Sequence, residues 1–217
     1  MRTFGFPEFL FILEAAKWTV ALSLIAFVGG AVGGLAVALS RTSNSPVLRT
    51  LSGGFIQIFQ GTPLLLQLFL VFFGAPVLGL DINPWVAAGV ALILNSSAFL
   101  GEIWRGCIQA IPNGQWEAAQ ALSLPYMARM RDVILPQAGR IALAPTVGYM
   151  VQIIKGTSLA AIIGFAEVTR TGQIINNATF QPLIVFSVVA GIYFFLCWPL
   201  SLLAARMERQ QAKALAR

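Results

Sequence analysis

Lys155 stands in a long apolar run, after Val151-Gln152-Ile153-Ile154 and before Gly156, Thr157 and Ser158. A charge at membrane depth is costly and is usually paired, snorkelled or turned toward water. Gly156 can end a helix, and Thr157 or Ser158 can cap the next one. The spacing predicts a broken span whose new helix start points free N–H groups into a cavity beside the Lys155 ammonium. That arrangement is suited to a carboxylate. Two plainer readings stay open: Lys155 snorkels to the outer interface, or it pairs with Glu167. Glu167 and Arg170 follow in the next connection and either pair or guide a zwitterionic solute. Asn95, Ser96 and Ser97 lie in an earlier apolar run. They line a pathway, or satisfy one another and nearby backbone across helices. Gln57, Gln60, Thr62 and Gln67 give the preceding run a polar element. Thr62-Pro63 reads as a cap and a first helical position, so that helix is broken or begins late. Glu102 and Arg105, one turn apart, read as a pair at the membrane boundary rather than as solute contacts.

The rest of the composition excludes chemistry. There is no His and there are two Cys. A zinc site, a disulfide framework and the common catalytic triads are therefore not expected. Cys107 and Cys197 read as small packing residues. No Gly-x-x-x-x-Gly-Lys-Ser/Thr phosphate loop occurs. The chain is expected to be no enzyme, with no catalytic or metal residues.

These polar groups need a scaffold, and composition says which solvent it meets. The chain is 58% hydrophobic and 10% charged over 217 residues, with mean hydropathy +0.80. A water-facing surface cannot be covered by so few charges, so the bilayer is the expected solvent. A span needs about 20 mostly apolar residues. The qualifying runs are roughly Thr19–Leu39, Phe55–Leu78, Pro84–Ile103, Ile141–Ile163 and Leu183–Leu203, which makes about five transmembrane helices in an all-α membrane protein. Residues 1–17 are expected to form an amphipathic interfacial segment, 18–207 the transmembrane domain, and 208–217 a tail. A cleavable leader is not expected, because the first long run, Trp18–Leu39, exceeds a signal core.

Net charge is +6, but the basic residues flank apolar runs, which fits membrane orientation rather than nucleic acid. Arg41, Arg49, Arg105, Arg129, Arg131, Arg140, Arg206, Arg209, Lys213 and Arg217 fall on one side if the amino terminus is outside. Arg2, Lys17, Lys155 and Arg170 are left for the other side or the membrane. The positive-inside rule thus predicts an external amino terminus and an internal carboxyl terminus. In the first helix Gly29/Gly33 and Gly30/Gly34 form two overlapping small-xxx-small pairs. They pack within the chain or at a subunit interface.

One stretch departs from the apolar character: a polar insert at about 112–135. Pro112-Asn113-Gly114 is a turn signal. Gln115–Leu122 then reads as a short helix, with Trp116, Ala119 and Leu122 at helical spacing and Glu117 in its first turn. Ser123 breaks the pattern, and Pro125 is placed to start a second helix. A rigid Ala-rich helix between turns can seat in a partner's groove, or can simply be a solvated loop.

Glu117-Ala118-Ala119, then Leu122, then Val133-Ile134-Leu135-Pro136-Gln137-Ala138 follow an ordered motif set. Glu102-Ile103-Trp104-Arg105-Gly106, Ile108-Gln109-Ala110-Ile111-Pro112, Gly114-Gln115, Gly61-Thr62-Pro63-Leu64-Leu65 and Thr157-Ser158-Leu159 extend it. From about Thr19 to Glu208 the chain resembles permease subunits of ATP-binding-cassette importers, in particular the polar amino acid uptake family. Departures from that pattern are Ser123 at the usual loop Gly, Gln60 where many relatives have Arg, and Gly156 where many have Asp. The resemblance implies a type I importer architecture in a bacterial inner membrane. It implies that Glu117, Ala118, Ala119, Leu122 and Ser123 couple to separate ATPase subunits, which bind the ATP and Mg. It also implies a second permease subunit, identical or paralogous, and an extracytoplasmic solute-binding protein. As polar groups in or beside the apolar runs, Lys155, Thr157, Ser158, Gln60, Thr62, Asn95, Glu167 and Arg170 are the candidates for the pathway of the polar amino acid or related solute that the resemblance implies. Two alternatives are a secondary carrier and a structural or assembly subunit.

Overall fold

The apolar runs fold as long helices because lipid leaves every backbone polar group to be satisfied within the chain. The computed structural model describes residues 3–215, with side chains through 213; Arg2 and Arg217, used in the charge reading, lie outside them. Among the described residues every regular element is helical. α1 spans Phe6–Thr42, α2 Pro46–Gly61, α3 Leu64–Val77 and α4 Pro84–Gln109. α5 (Asn113–Ala121) and α6 (Tyr126–Ala128) follow, and a π-helical stretch, Arg129–Ile134, leads without a break into α7, Leu135–Thr157. A 3-10 turn, Ser158–Ile163, then α8 (Val168–Thr179) and α9 (Pro182–Leu215) complete the order. Four helices are long and apolar enough to cross a membrane, and the bent pair α2–α3 makes a fifth span if it crosses as one.

The first expected span is only part of α1. That helix runs from Phe6 through Lys17 and Trp18 with no break at the anticipated segment boundary. Lys17 is held at 2.5 Å from Glu14 and lies 5.2 Å from the centre of the Trp18 ring. The fourth expected span likewise starts earlier, with α7 continuous back to Tyr126 through the π-helical stretch.

α1 packs chiefly along α4, and the glycine stripe is the reason. A Cβ at Gly30 would collide with Ser96, one at Gly33 with Ser97, and one at Gly34 with Leu100. In return a Cβ at Gly101 would collide with Val37. The two backbones therefore approach closely, which is how packing replaces the hydrophobic drive in lipid. The stripe is consumed within the chain and is not left for a partner.

Leu22, Ala26, Leu68, Ala88, Leu92, Ile153 and Ile163 join α1, α3, α4, α7 and the 3-10 turn in one buried cluster, with Phe165 just beyond the turn. A second cluster, Ile12, Val168, Val185 and Ile192, fixes α8 and α9 to the start of α1. The outer faces stay apolar, with Val32 at 71%, Leu70 at 72% and Val77 at 85% exposure, which suits hydrocarbon and not water. Both cysteines are free and buried.

Candidate functional site

The site begins where the second expected span breaks. Pro63 has no N–H and disfavours helical backbone at Thr62. Thr62 duly leaves the helix at φ −114°, and the axes of α2 and α3 differ by 103°. The anticipated order shifts by one residue: Thr62 closes α2, Pro63 is the cap, and α3 begins at Leu64. Carbonyls freed by the break need donors. Gln67 supplies them, its Nε2 donating to Phe59 O at 2.8 Å and to Thr62 O and Oγ1 at 3.0 Å. Gln67 Oε1 then accepts from Asn95 Nδ2 at 3.0 Å, and Asn95 Oδ1 accepts from the Tyr149 hydroxyl at 3.3 Å. A polar chain thus links the break to α4 and α7. Asn95 satisfies its neighbours across helices, as one of its two readings anticipated, and it also borders a cleft.

Beside this chain opens a cleft of about 570 Å³. Asn95, Ser96, Tyr149, Gln152, Lys155 and Ser158 form its polar side; Leu64, Leu92, Phe99 and Leu159 form its apolar side. Phe99 and Tyr149 stack with ring centres 5.5 Å apart. The side chains of Lys155 and Gln152 are exposed in this chain, and Lys155 has no ion pair among the described residues. Its anticipated pairing with Glu167 is absent. Gln60 and Thr62 are exposed at the break but do not line the cleft.

The expected new helix start at Thr157 or Ser158 is not formed. α7 runs through Gly156 to Thr157 and tightens into the 3-10 turn. Thr157 Oγ1 donates back to Ile154 O and Ser158 Oγ to Lys155 O, both at 2.7 Å, so neither hydroxyl caps free N–H groups. The chain turns only at Gly164, whose φ of +88° favours glycine. Thr157 is fully buried, while Ser158 reaches the cleft.

Glu167 is not in the cleft either. It is fully buried and caps α8, accepting from Thr169 N at 2.9 Å and Arg170 N at 2.8 Å. The Tyr193 hydroxyl also donates to it, at 2.5 Å. Burial pushes the Glu167 carboxyl above its ordinary range, and the Tyr193 hydroxyl, with the Thr169 and Arg170 N–H groups, pulls the other way. Arg170 thus meets Glu167 through its backbone, and its guanidinium turns to Gln173 at 3.4 Å. The α8 start left a weak sequence signal, since a negative side chain suits the amino-terminal end of a helix even though Glu is not a usual N-cap.

Glu102 and Arg105 do form the predicted pair, with Arg105 Nε 2.8 Å from Glu102 Oε2. It lies about two turns before the polar insert. There α5 begins at Asn113, two residues before the anticipated start, so Glu117 lies beyond the first turn. Trp116 packs on a small core made by Ala38, Ile108, Ile111, Met130 and Ile134, and Ala119 is buried. Glu117 and Ala118 are exposed, and Leu122 is 75% exposed, not on the inner face its spacing suggested. Two hydrogen bonds brace the insert: the Tyr126 hydroxyl to Thr42 O at 3.0 Å, and Gln137 Nε2 to Gln115 Oε1 at 3.2 Å.

Ser123, which interrupts the Ala-rich pattern, takes the left-handed φ of +56°. Ser123 N donates to Gln120 O at 2.8 Å and Leu124 N to Ala119 O at 3.2 Å, a Schellman closure of α5. Pro125 caps α6 instead of opening it.

The family described as binding-protein-dependent transport system inner membrane component matches residues 30–213. A probable amino-acid ABC transporter permease of Bacillus subtilis (strain 168) is 35% identical over 190 residues, 88% of this chain and 84% of its own length. The glutamine transport system permease of Escherichia coli (strain K12) is 36% identical over 206 residues, 94% of each chain. A crystal structure of an amino acid ABC transporter with histidines superposes with TM-score 0.87 at 32% identity, covering 96% of this chain and 100% of that one. An inward-facing methionine ABC transporter, at 19% identity and TM-score 0.79, shares the fold over 95% of this chain and 99% of its own.

Proposed function

The chain belongs to the family of binding-protein-dependent transport system inner membrane components, and from that premise we propose how its parts divide the work of import. It is a multi-pass permease subunit of an amino-acid ABC importer, with no catalytic role of its own. Two such subunits, identical or paralogous, enclose the pathway. Separate ATPase subunits bind ATP and Mg²⁺ and grip the insert through Glu117, Ala118 and Leu122. An extracytoplasmic binding protein delivers the solute. The amino terminus lies outside and the carboxyl terminus inside, in keeping with the basic residues. The solute is a polar amino acid, as the glutamine permeases among its relatives suggest.

The observation that carries this reading is the build of α5. One side carries Trp116, packed on the bundle's own core, and the buried Ala119; the other presents Glu117, Ala118 and Leu122 exposed. A helix so braced passes a push to α1, α4 and α7 without bending. Lys155, Ser158 and Asn95 in the cleft are the solute-facing groups. Thr157, Glu167 and Arg170 support the surrounding backbone.

Replacing Glu117 by Lys tests the coupling role. The variant is expected to insert and assemble while uptake falls and ATP hydrolysis continues without transport. Uptake at the unaltered rate in reconstituted vesicles contradicts the proposal.

A further inference from the structure

We infer that the cleft is a charge filter: it admits amino acids whose side chains are neutral or anionic and turns away those whose side chains are cationic. This rests on the proposed reading of the cleft as the solute's site in this subunit.

The observation is the distribution of acids. Eight Asp and Glu residues occur in the chain, and all lie within the described residues. Each has a place elsewhere. Glu8 caps the start of α1, where Gly5 N donates to it at 3.0 Å. Glu14 is paired with Lys17, Glu102 with Arg105 and Asp132 with Arg131. Glu167 is spent as the α8 cap. Asp81 lies exposed in the α3–α4 connection, Glu117 on the insert and Glu208 near the end of α9. None lines the cleft.

Among the cleft-lining residues the sole charge is Lys155, and no carboxylate neutralises it. A carboxylate entering the cleft finds the ammonium with the Ser158 hydroxyl beside it. The remaining partners, Asn95, Ser96, Gln152 and Tyr149, are uncharged and suit an amide, a hydroxyl or a second carboxylate. A solute carrying an extra guanidinium or ammonium meets repulsion from Lys155 with no carboxylate among the lining residues to offset it. Discrimination by repulsion against the wrong solute is an ordinary route to specificity.

Gly156 offers the reverse experiment. It lines the cleft beside Lys155, and a Cβ there would meet only the tips of Leu64, at 3.1 Å, and Leu92, at 3.6 Å. Both tips are flexible, so a carboxylate can be installed at this position.

The test uses the assembled permease–ATPase complex in nanodiscs, without the binding protein, so that this cleft alone selects. Radiolabelled glutamine, glutamate and arginine are the probes. Glutamine and glutamate are expected to bind, with arginine at least roughly tenfold weaker. Lys155→Met is expected to weaken glutamate by roughly tenfold and to close most of the gap to arginine. Lys155→Arg keeps the preference, and Gly156→Asp raises arginine binding. Arginine binding as tightly as glutamine in the unaltered complex, or an unchanged glutamate-to-arginine ratio in Lys155→Met, overturns the filter but leaves the cleft as the site. Failure of all three probes to bind overturns the cleft reading, and the filter falls with it.

Discussion

Gln67 Oε1 accepts a hydrogen bond from Asn95 Nδ2 at 3.0 Å, and this bond ties the break between α2 and α3 to the middle of α4. The same Gln67 satisfies two carbonyls and one hydroxyl at the break. Gln67→Leu keeps the volume and removes the amide, leaving the buried Asn95 Nδ2 without its Gln67 acceptor and taking a donor from Phe59 O and Thr62 O. We expect a loss of about 1–3 kcal/mol, the usual cost of an unsatisfied buried polar group. Thermal unfolding of the purified complex checks this, and an unchanged midpoint contradicts it.

The α1–α4 seam is equally specific. Gly33→Leu places a side chain against Ser97, where even one Cβ does not fit. Overpacking of this kind costs about 1–3 kcal/mol. A lower yield of folded protein and a depressed unfolding temperature are expected. Gly74→Ala, at a position with open space around it, serves as the neutral control.

Ser123 sits at φ +56° to close α5. A left-handed residue other than glycine costs about 1–2 kcal/mol. Ser123→Gly is therefore expected to stabilise the insert and to slow amide exchange across Gln120–Leu124 while transport continues. Ser123→Val should do the opposite. Faster exchange in the glycine variant would count against the closure described.

Glu167 links stability to pH. Burial raises its carboxyl above the ordinary value, so the folded chain holds the proton more tightly than the unfolded chain does. Between the ordinary value and the raised one the native state binds more protons. The stability contribution is fully present below the ordinary value and is lost as pH rises through the raised one. Unfolding temperatures should fall over that window in the unaltered protein and change less in Glu167→Gln, which titrates nowhere. Parallel pH profiles for the two proteins would refute the linkage.

Much of this architecture was legible because lipid leaves the sequence few options. Apolar runs of span length became helices, Thr62-Pro63 became a break, and Gly29–Gly34 became a seam. Ser123 marked the end of the Ala-rich helix but not the left-handed conformation that closes it. What stayed hidden was tertiary. Gly156 looked like a helix end, and α7 does close one residue later at Thr157, but the chain tightens there into a 3-10 turn instead of starting a new capped helix. Glu167 read as a partner for Lys155 or Arg170, since its true donors, Tyr193 and two backbone N–H groups, are set by how α8 meets α9. Leu122 matched the inner spacing of α5, but the helix ends there and Leu122 swings out as its cap. The π-helical stretch Arg129–Ile134 carries no composition that marks it.

The central claim is that the insert is pushed by a separate ATPase from the cytoplasmic side. Ala118 is exposed and both native cysteines are buried, so Ala118→Cys gives one reactive thiol against a quiet background. Crosslinking in native membranes, followed by mass spectrometry, is predicted to join Ala118→Cys to an ATP-binding subunit, with membrane-impermeant reagents unable to reach it from outside. Adducts to an extracytoplasmic protein, or labelling from outside in intact cells, would contradict it.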